Sequence, residues 1–266
     1  MISVPRIAAS SYSNTAPLVW SFLYGSLRGS AELIMDTAPA RSAELLAGGR
    51  VDAALVPVFS YQTISNVRLI PNVCVGAKER VRSVCLVTKG CDLGDVKTVA
   101  LDISSRTSAA LTKIIFREFI GREPVWIDAA PNIDEMLANA NCALLIGDPS
   151  LRINESNGNT PFRKFDLVEL WRENTGLGFV FAMWMTRGQA SPLDFAAARD
   201  EGVAHIDEIA ANYTQQIGLD AVELVDYLGR SISYSVSDEM SAGLELYFNL
   251  ANKHGHIERN LPLQFV

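Results

Sequence analysis

The feature that most constrains this chain is an alternation, in which short apolar runs recur between segments of helical spacing. "RIAAS" from Arg6, "AELIMD" from Ala31, "DAALVPV" from Asp52 and "SVCLVTK" from Ser83 read as strands. So do "TVALD" from Thr98, "PVWID" from Pro124, "CALLIGD" from Cys142 and "GFVFAMWMTR" from Gly178. Between them, 17–27, 41–47, 105–119, 133–139 and 167–173 carry helical patterns. Strands alternating with helices predict βαβ units and an α/β fold built on mostly parallel sheets.

From Ser191 the character changes, and 193–217, 221–228 and 238–254 read as helices. Ser237 before Asp238 and Glu239 is a good helix start, with acid at the positive end of the dipole. The 266 residues suit one large domain or two lobes. No long Gly/Ser/Pro linker divides them, which predicts a discontinuous arrangement. The expected crossings lie near Thr88–Cys91, where Lys89-Gly90 breaks an apolar run, and near Thr186–Gly188. Lobe one is then 1–88 plus 188–266 and lobe two is 89–187, with the ligand cleft between them.

The formal net charge of −7 disfavours nucleic acid, yet local donors can still hold a small anion. No basic leader with an apolar core and no span of about 20 apolar residues is visible, so a cytoplasmic location away from membranes is expected. The four cysteines form no C-x-x-C pair, and three lie in apolar runs as buried thiols. His205, His254 and His256 are badly spaced for zinc and read as surface residues. Nothing in the sequence calls for a metal or a cofactor, and the oligomeric state is left open.

In open parallel sheets ligands sit beyond the carboxyl ends of strands, where helix N-termini present unpaired N–H groups. Three loops fall at such places: "SYSNTAP" (11–17), "ISSRTS" (103–108) and "IGDPS" (146–150). In the second, Ser104, Ser105, Thr107 and Ser108 surround Arg106. One hydroxyl would cap the helix, worth about 1 kcal/mol; four around a guanidinium suggest a carboxylate site. Asn14 reads either as an Asx-turn residue or as a neutral ligand contact. Asp148 reads first as an N-cap and second as a catalytic base. Arg80 and Arg82 beside Ser83 read as solvated charges, or as a second anion contact if they face the cleft. The aromatics of "WRENTGLGFVFAMW" read as core. Walker, G-x-G-x-x-G and G-x-S-x-G motifs are absent.

Six segments together, "SYSNTAPL", "GGRVDAALVPV", "VRSVCLVTK", "ALDISSRTSAAL", "ALLIGDPSL" and "FDLVELWRENTGLGFVFAMW", resemble the chorismate dehydratases of menaquinone biosynthesis by the futalosine route. The likeness runs from about Ser11 to Arg187; the helical last third matches in kind only. It implies a two-lobed type II periplasmic-binding-protein-like fold used as a cytoplasmic lyase. The implied reaction converts chorismate to 3-[(1-carboxyvinyl)oxy]benzoate and water. The related 1,4-dihydroxy-6-naphthoate synthases begin instead with a Ser-Pro-Cys-Pro-Asn-Asp type segment. Ser13 stands where the family commonly has a larger apolar residue, with Asn14 kept in register.

The resemblance implies Asn14 and Ser83 near the reacting ring, with Asp148 as the protein-borne candidate base. Ser11, Tyr12, Thr15, Arg82, Ser104, Ser105, Arg106, Thr107, Ser108 and Gly147 complete the expected substrate wall. The ring carboxylate is expected on Ser105, Arg106, Thr107 and Ser108. No motif segment holds a histidine, so the substrate's enolpyruvyl carboxylate competes with Asp148 for the ring proton. The alternatives are a non-catalytic solute-binding protein, a related enzyme such as a naphthoate synthase, and a ligand-sensing regulator. The last lacks an evident basic helix-turn-helix segment.

Overall fold

The computed structural model describes residues 4–153 and 162–266. Along the first part of the chain run β1 (Arg6–Ser10), α1 (Ala16–Leu23), β2 (Glu32–Asp36), α2 (Pro39–Ala47), β3 (Ala53–Pro57) and β4 (Arg68–Ala77). Then come β5 (Val84–Thr88), β6 (Thr98–Asp102), α3 (Arg106–Ile114), β7 (Val125–Ala129), α4 (Ile133–Asn139), β8 (Cys142–Ile146) and α5 (Asp148–Leu151). β9 (Arg163–Asp166), α6 (Leu167–Thr175) and β10 (Phe179–Thr186) follow. The chain closes with α7 (Phe195–Ala204), α8 (Ile206–Ile217), α9 (Ala221–Asp226) and α10 (Asp238–Lys253).

Two five-stranded sheets result, in the orders β2-β1-β3-β10-β4 and β7-β6-β8-β5-β9. Both are mixed rather than mostly parallel. β1 pairs in parallel with β2 and β3, but β10 runs antiparallel to β3 and β4. In the second sheet β6 is parallel to β7 and β8, and β5 is antiparallel to β8 and β9. The antiparallel strands are those that arrive from the other lobe.

This pairing moves both expected crossings by one strand. The run 84–88 belongs to the second sheet and 179–186 to the first. The chain therefore crosses at 78–83 and returns at 176–178. Lys89-Gly90 is only a turn within the second lobe, where the Thr88 hydroxyl donates to the Cys91 carbonyl at 2.7 Å and Gly90 takes φ +83°. The true first crossing is pinned by Asp166, whose carboxylate accepts the N–H of Val81 at 3.0 Å and of Arg82 at 2.6 Å. Arg82 itself sits in the left-handed region, φ +61°. At the return, Gly176 ends α6 at φ +73°, which glycine adopts without a Cβ penalty.

β4 escapes a reading of the sequence because Pro71 and Asn72 interrupt it. As an edge strand it tolerates a missing N–H, and Asn72 at φ +55° bends it where its register against β10 shifts. The expected helix 193–217 is broken at His205 into α7 and α8. The core spans both sheets and their helices; Trp171, Phe179 and Trp184 are fully buried, as their segment suggested. Cys74, Cys85 and Cys142 are buried and form no disulfide among the described residues. Among the described residues no helix is long and apolar enough to cross a membrane.

Candidate active site

The carboxyl ends of β1, β6 and β8 point into the space between the sheets, and the three singled-out loops meet there. A cavity of about 580 Å3, mouth included, lies among them. Its polar lining is Ser10, Tyr12, Asn14, Thr15, Ser104, Ser105, Thr107, Ser108 and Gly147. Its apolar lining includes Leu55, Pro57, Val75, Val81, Val84, Ile146 and Phe181. Among the described residues, no Arg, Lys, His, Asp or Glu side chain is part of this wall.

The lobes already touch around the cavity. Asp148 accepts the main-chain N–H of Ser13 at 3.1 Å and its hydroxyl at 2.6 Å. The Thr107 hydroxyl accepts the N–H of Phe59 and donates to the carbonyl of Phe181, both at 3.2 Å. Gly147, at φ +65° and ψ −151°, lies under the Tyr12 ring; a Cβ there would fall 2.8 Å from ring atoms. Both the backbone and the ring therefore demand glycine.

The four hydroxyls around Arg106 divide into three structural roles and one open one. Asp102, 1% exposed, accepts the N–H of Ser104 at 2.9 Å and its hydroxyl at 2.6 Å, which shapes the turn. Ser105 caps α3 by accepting the N–H of Ser108 at 3.3 Å. Thr107 bridges the lobes as described. The Ser108 hydroxyl alone lines the cavity with no partner among the described residues.

Two expectations fail on the arginines. Arg106 is half-buried outside the wall and makes no ion pair among the described residues, because the cap turns α3 so that Ser105, Thr107 and Ser108 face the cavity. Arg82 points away to Glu223, at 2.6 Å, and Asp226, at 3.7 Å, and Arg80 pairs with Glu169 at 3.5 Å. The left-handed backbone at Arg82 explains the reversal. Ser11 also faces away, into a separate groove beside Trp20 and Tyr213.

Asn14 lines the cavity at 8% exposure, and the Thr15 hydroxyl is shared with Ser10 at 3.0 Å. Ser83 is fully buried just behind the wall formed by Val81 and Val84. Its polar side-chain neighbourhood includes the Tyr227 hydroxyl, which also lies beside Asn14. Asp148 stands outside the wall with its carboxylate engaged by Ser13. Burial raises the pKa of Asp148, opposed by those Ser13 bonds, and raises that of Asp102, opposed by Ser104. Burial pushes Tyr12 up to about 12, helped by the charges of Asp102 and Asp148, so its phenol is a neutral donor.

All three histidines are half-buried; His205 and His254 are partnered, whereas the Nε2 of His256 has no hydrogen bond among the described residues. His205 stacks on Trp20 with centroids 3.8 Å apart, and His254 meets Glu118 at 2.5 Å. Burial lowers His256 to about 4, with Arg117, Lys113 and His254 adding to the effect. Among the described residues no group of three or more His, Cys, Asp or Glu is placed to hold a metal ion. Sequence reading missed the apolar wall and Tyr227. Phe181 and the valines read as core from their runs alone, and Tyr227 gave no signal in its helical segment.

A family model described as menaquinone biosynthesis matches residues 5–253. A chorismate dehydratase of Thermus thermophilus is 29% identical, with 93% of each chain covered. Among solved structures, an Archaeoglobus fulgidus protein is similar at TM-score 0.73 and 15% identity, covering 95% of this chain and 98% of its own. The periplasmic aliphatic sulphonate binding protein of Escherichia coli is similar at TM-score 0.64 and 14% identity, with 98% and 93% covered. A Candida albicans protein described as having the generic periplasmic binding protein fold is similar at TM-score 0.59 and 11% identity, with 100% and 99% covered. These likenesses show a periplasmic-binding-protein-like fold.

Proposed function

The chain belongs to the menaquinone-biosynthesis family, and from that premise we propose that it is a chorismate dehydratase, a cytoplasmic lyase forming 3-[(1-carboxyvinyl)oxy]benzoate and water. The observation that carries the reading is the cavity wall, rich in neutral hydrogen-bond donors on one side and apolar on the other. Chorismate presents two carboxylates on a flat ring. Neutral hydroxyls, the Asn14 amide and the first-turn N–H groups of α3 suit the carboxylates. Leu55, Pro57, Val84 and Phe181 suit the ring faces. A neutral wall also leaves the substrate's own charges unquenched, so one of them can act as a base.

The chemistry needs geometry more than a strong protein base. The ring proton passes to the enolpyruvyl carboxylate of the substrate, the carbon–oxygen bond to the neighbouring hydroxyl breaks, and the departing oxygen takes up that proton and leaves as water. The ring becomes aromatic, which makes the net step downhill. Holding the carboxylate against that proton draws on the large advantage of an intramolecular reaction, which reaches about 7–11 kcal/mol in well-oriented systems. In this reading Asn14 and Ser83 orient the ring and assist loss of the hydroxyl, and Ser108 with the start of α3 holds the ring carboxylate. The engaged carboxylate of Asp148 supports the substrate as base.

Incubation with chorismate, followed by absorbance and mass, tests the proposal. An aromatic product lighter than chorismate by one water supports it. Chorismate bound and recovered unchanged would replace it with a solute-binding function.

A further inference from the structure

Tyr227 is a polar side chain beside both Asn14 and Ser83 that the scheme above leaves without a task. It opens the π-helical turn Tyr227–Ser231 that follows α9, a geometry that often marks functional positions. The side chain is 0% exposed and does not line the cavity. Its hydroxyl lies beside the Ser83 and Asn14 side chains without a well-formed hydrogen bond to either. The Arg82 guanidinium lies 5.9 Å from the ring centroid, tethered by Glu223 and Asp226.

A buried hydroxyl without a partner is unfavourable, and phenylalanine would fill the same space. The oxygen therefore asks for a reason, and its neighbours supply one. A phenol donates one hydrogen bond and accepts others. Asn14 exposes either its carbonyl or its NH2 to the cavity, depending on which end is engaged behind the wall. The contacts now holding these groups are slack: the Thr15 hydroxyl to Asn14 Oδ1 at 3.5 Å, and the Ser83 hydroxyl to the Val81 carbonyl at 3.4 Å. Active-site hydrogen bonds of this kind tighten when substrate is bound.

We infer that Tyr227 is a positioning residue, whose hydroxyl closes onto Asn14 and Ser83 in the substrate complex and fixes which way both present themselves to the reacting ring. This rests on the chorismate dehydratase reading. Burial raises the phenol pKa far above neutrality, in keeping with a neutral donor that transfers no proton. The role is orientation alone.

The test is Tyr227→Phe in the full chain, crossed with Asn14→Ala and assayed with chorismate. Phenylalanine keeps the ring and its packing, and the hydroxyl it removes has no bond whose loss would unfold the chain. The expected result is an unchanged or slightly raised Tm, kcat lowered at least tenfold and KM within threefold. In the Asn14→Ala background the same change is expected to have a smaller effect than in wild type, since Asn14 is one of the two groups through which Tyr227 acts. A Tyr227→Phe enzyme with wild-type kcat overturns the inference, as does a lowered Tm with kcat intact. Independent, multiplying effects in the double variant also overturn it. A wild-type protein that leaves chorismate untouched removes the underlying reading instead, which is a different failure.

Discussion

Ser13 and Asp148, 135 residues apart in sequence, meet across the cleft with the Ser13 hydroxyl 2.6 Å from Oδ1 of the carboxylate. The hydroxyl thus engages a buried carboxylate from the other lobe. Ser13→Ala removes the hydroxyl donor and leaves the buried carboxylate only the main-chain N–H of residue 13. The expected loss is about 1–3 kcal/mol in urea titration. It should be larger at pH 8 than at pH 4, because the hydroxyl's bond to Asp148 strengthens as the carboxyl ionises. An equal loss at both values would show that the hydroxyl does not serve the charge.

Asp102 makes a prediction with a definite sign in pH. Burial raises its pKa above the ordinary carboxylate range. The folded state therefore binds this proton more tightly than the unfolded chain does. The stability it contributes is present below the unfolded value and lost as pH rises through the folded one. Asp102→Asn keeps an acceptor for Ser104 and removes the charge. Its Tm should exceed that of wild type at pH 8, and the gap should narrow below pH 4.

Gly147→Ala places a methyl group 2.8 Å from the Tyr12 ring and forces a backbone at φ +65° and ψ −151° on a residue with a Cβ. The expected cost is about 1–3 kcal/mol of stability. Tyr12 is displaced from the wall, so KM for chorismate should rise at least tenfold. Thermal melts and steady-state rates read the two effects separately.

Ser108 and Arg106 are neighbours with opposite expectations. The Ser108 hydroxyl faces the cavity without a partner, whereas the Arg106 side chain lies outside the wall. Hydrogen bonds to charged groups contribute about 1.5–3 kcal/mol. Ser108→Ala should therefore raise KM roughly 10- to 150-fold, and Arg106→Ala should change it less than threefold. The reverse order would return the guanidinium to the site.

Much of this architecture is legible in the sequence, because strand and helix periods differ and most runs are long enough to show them. β4 is hidden by Pro71 and Asn72, which only an edge position tolerates. The crossings are misplaced because Lys89-Gly90 looks like a boundary, while the true one depends on Asp166, far along the chain, accepting the N–H groups of Val81 and Arg82. The loops of the site are readable from their hydroxyls, yet the direction of each side chain is not. Arg82 turns away through one left-handed residue, and Arg106 through the rotation of α3 set by its cap. Tyr227 is invisible for a related reason: its meeting with Asn14 and Ser83 joins three distant segments.

The central claim is that a wall of neutral donors lets the substrate's own carboxylate take the ring proton. Single-turnover rates with chorismate, for Asn14→Ala beside Asp148→Asn, test it most directly. The account predicts that Asn14→Ala slows the chemical step at least a hundredfold, while Asp148→Asn, which keeps an acceptor for Ser13, stays within about tenfold of wild type. An Asp148→Asn protein that folds and binds chorismate normally but no longer turns it over would contradict the account, and would make Asp148 the base.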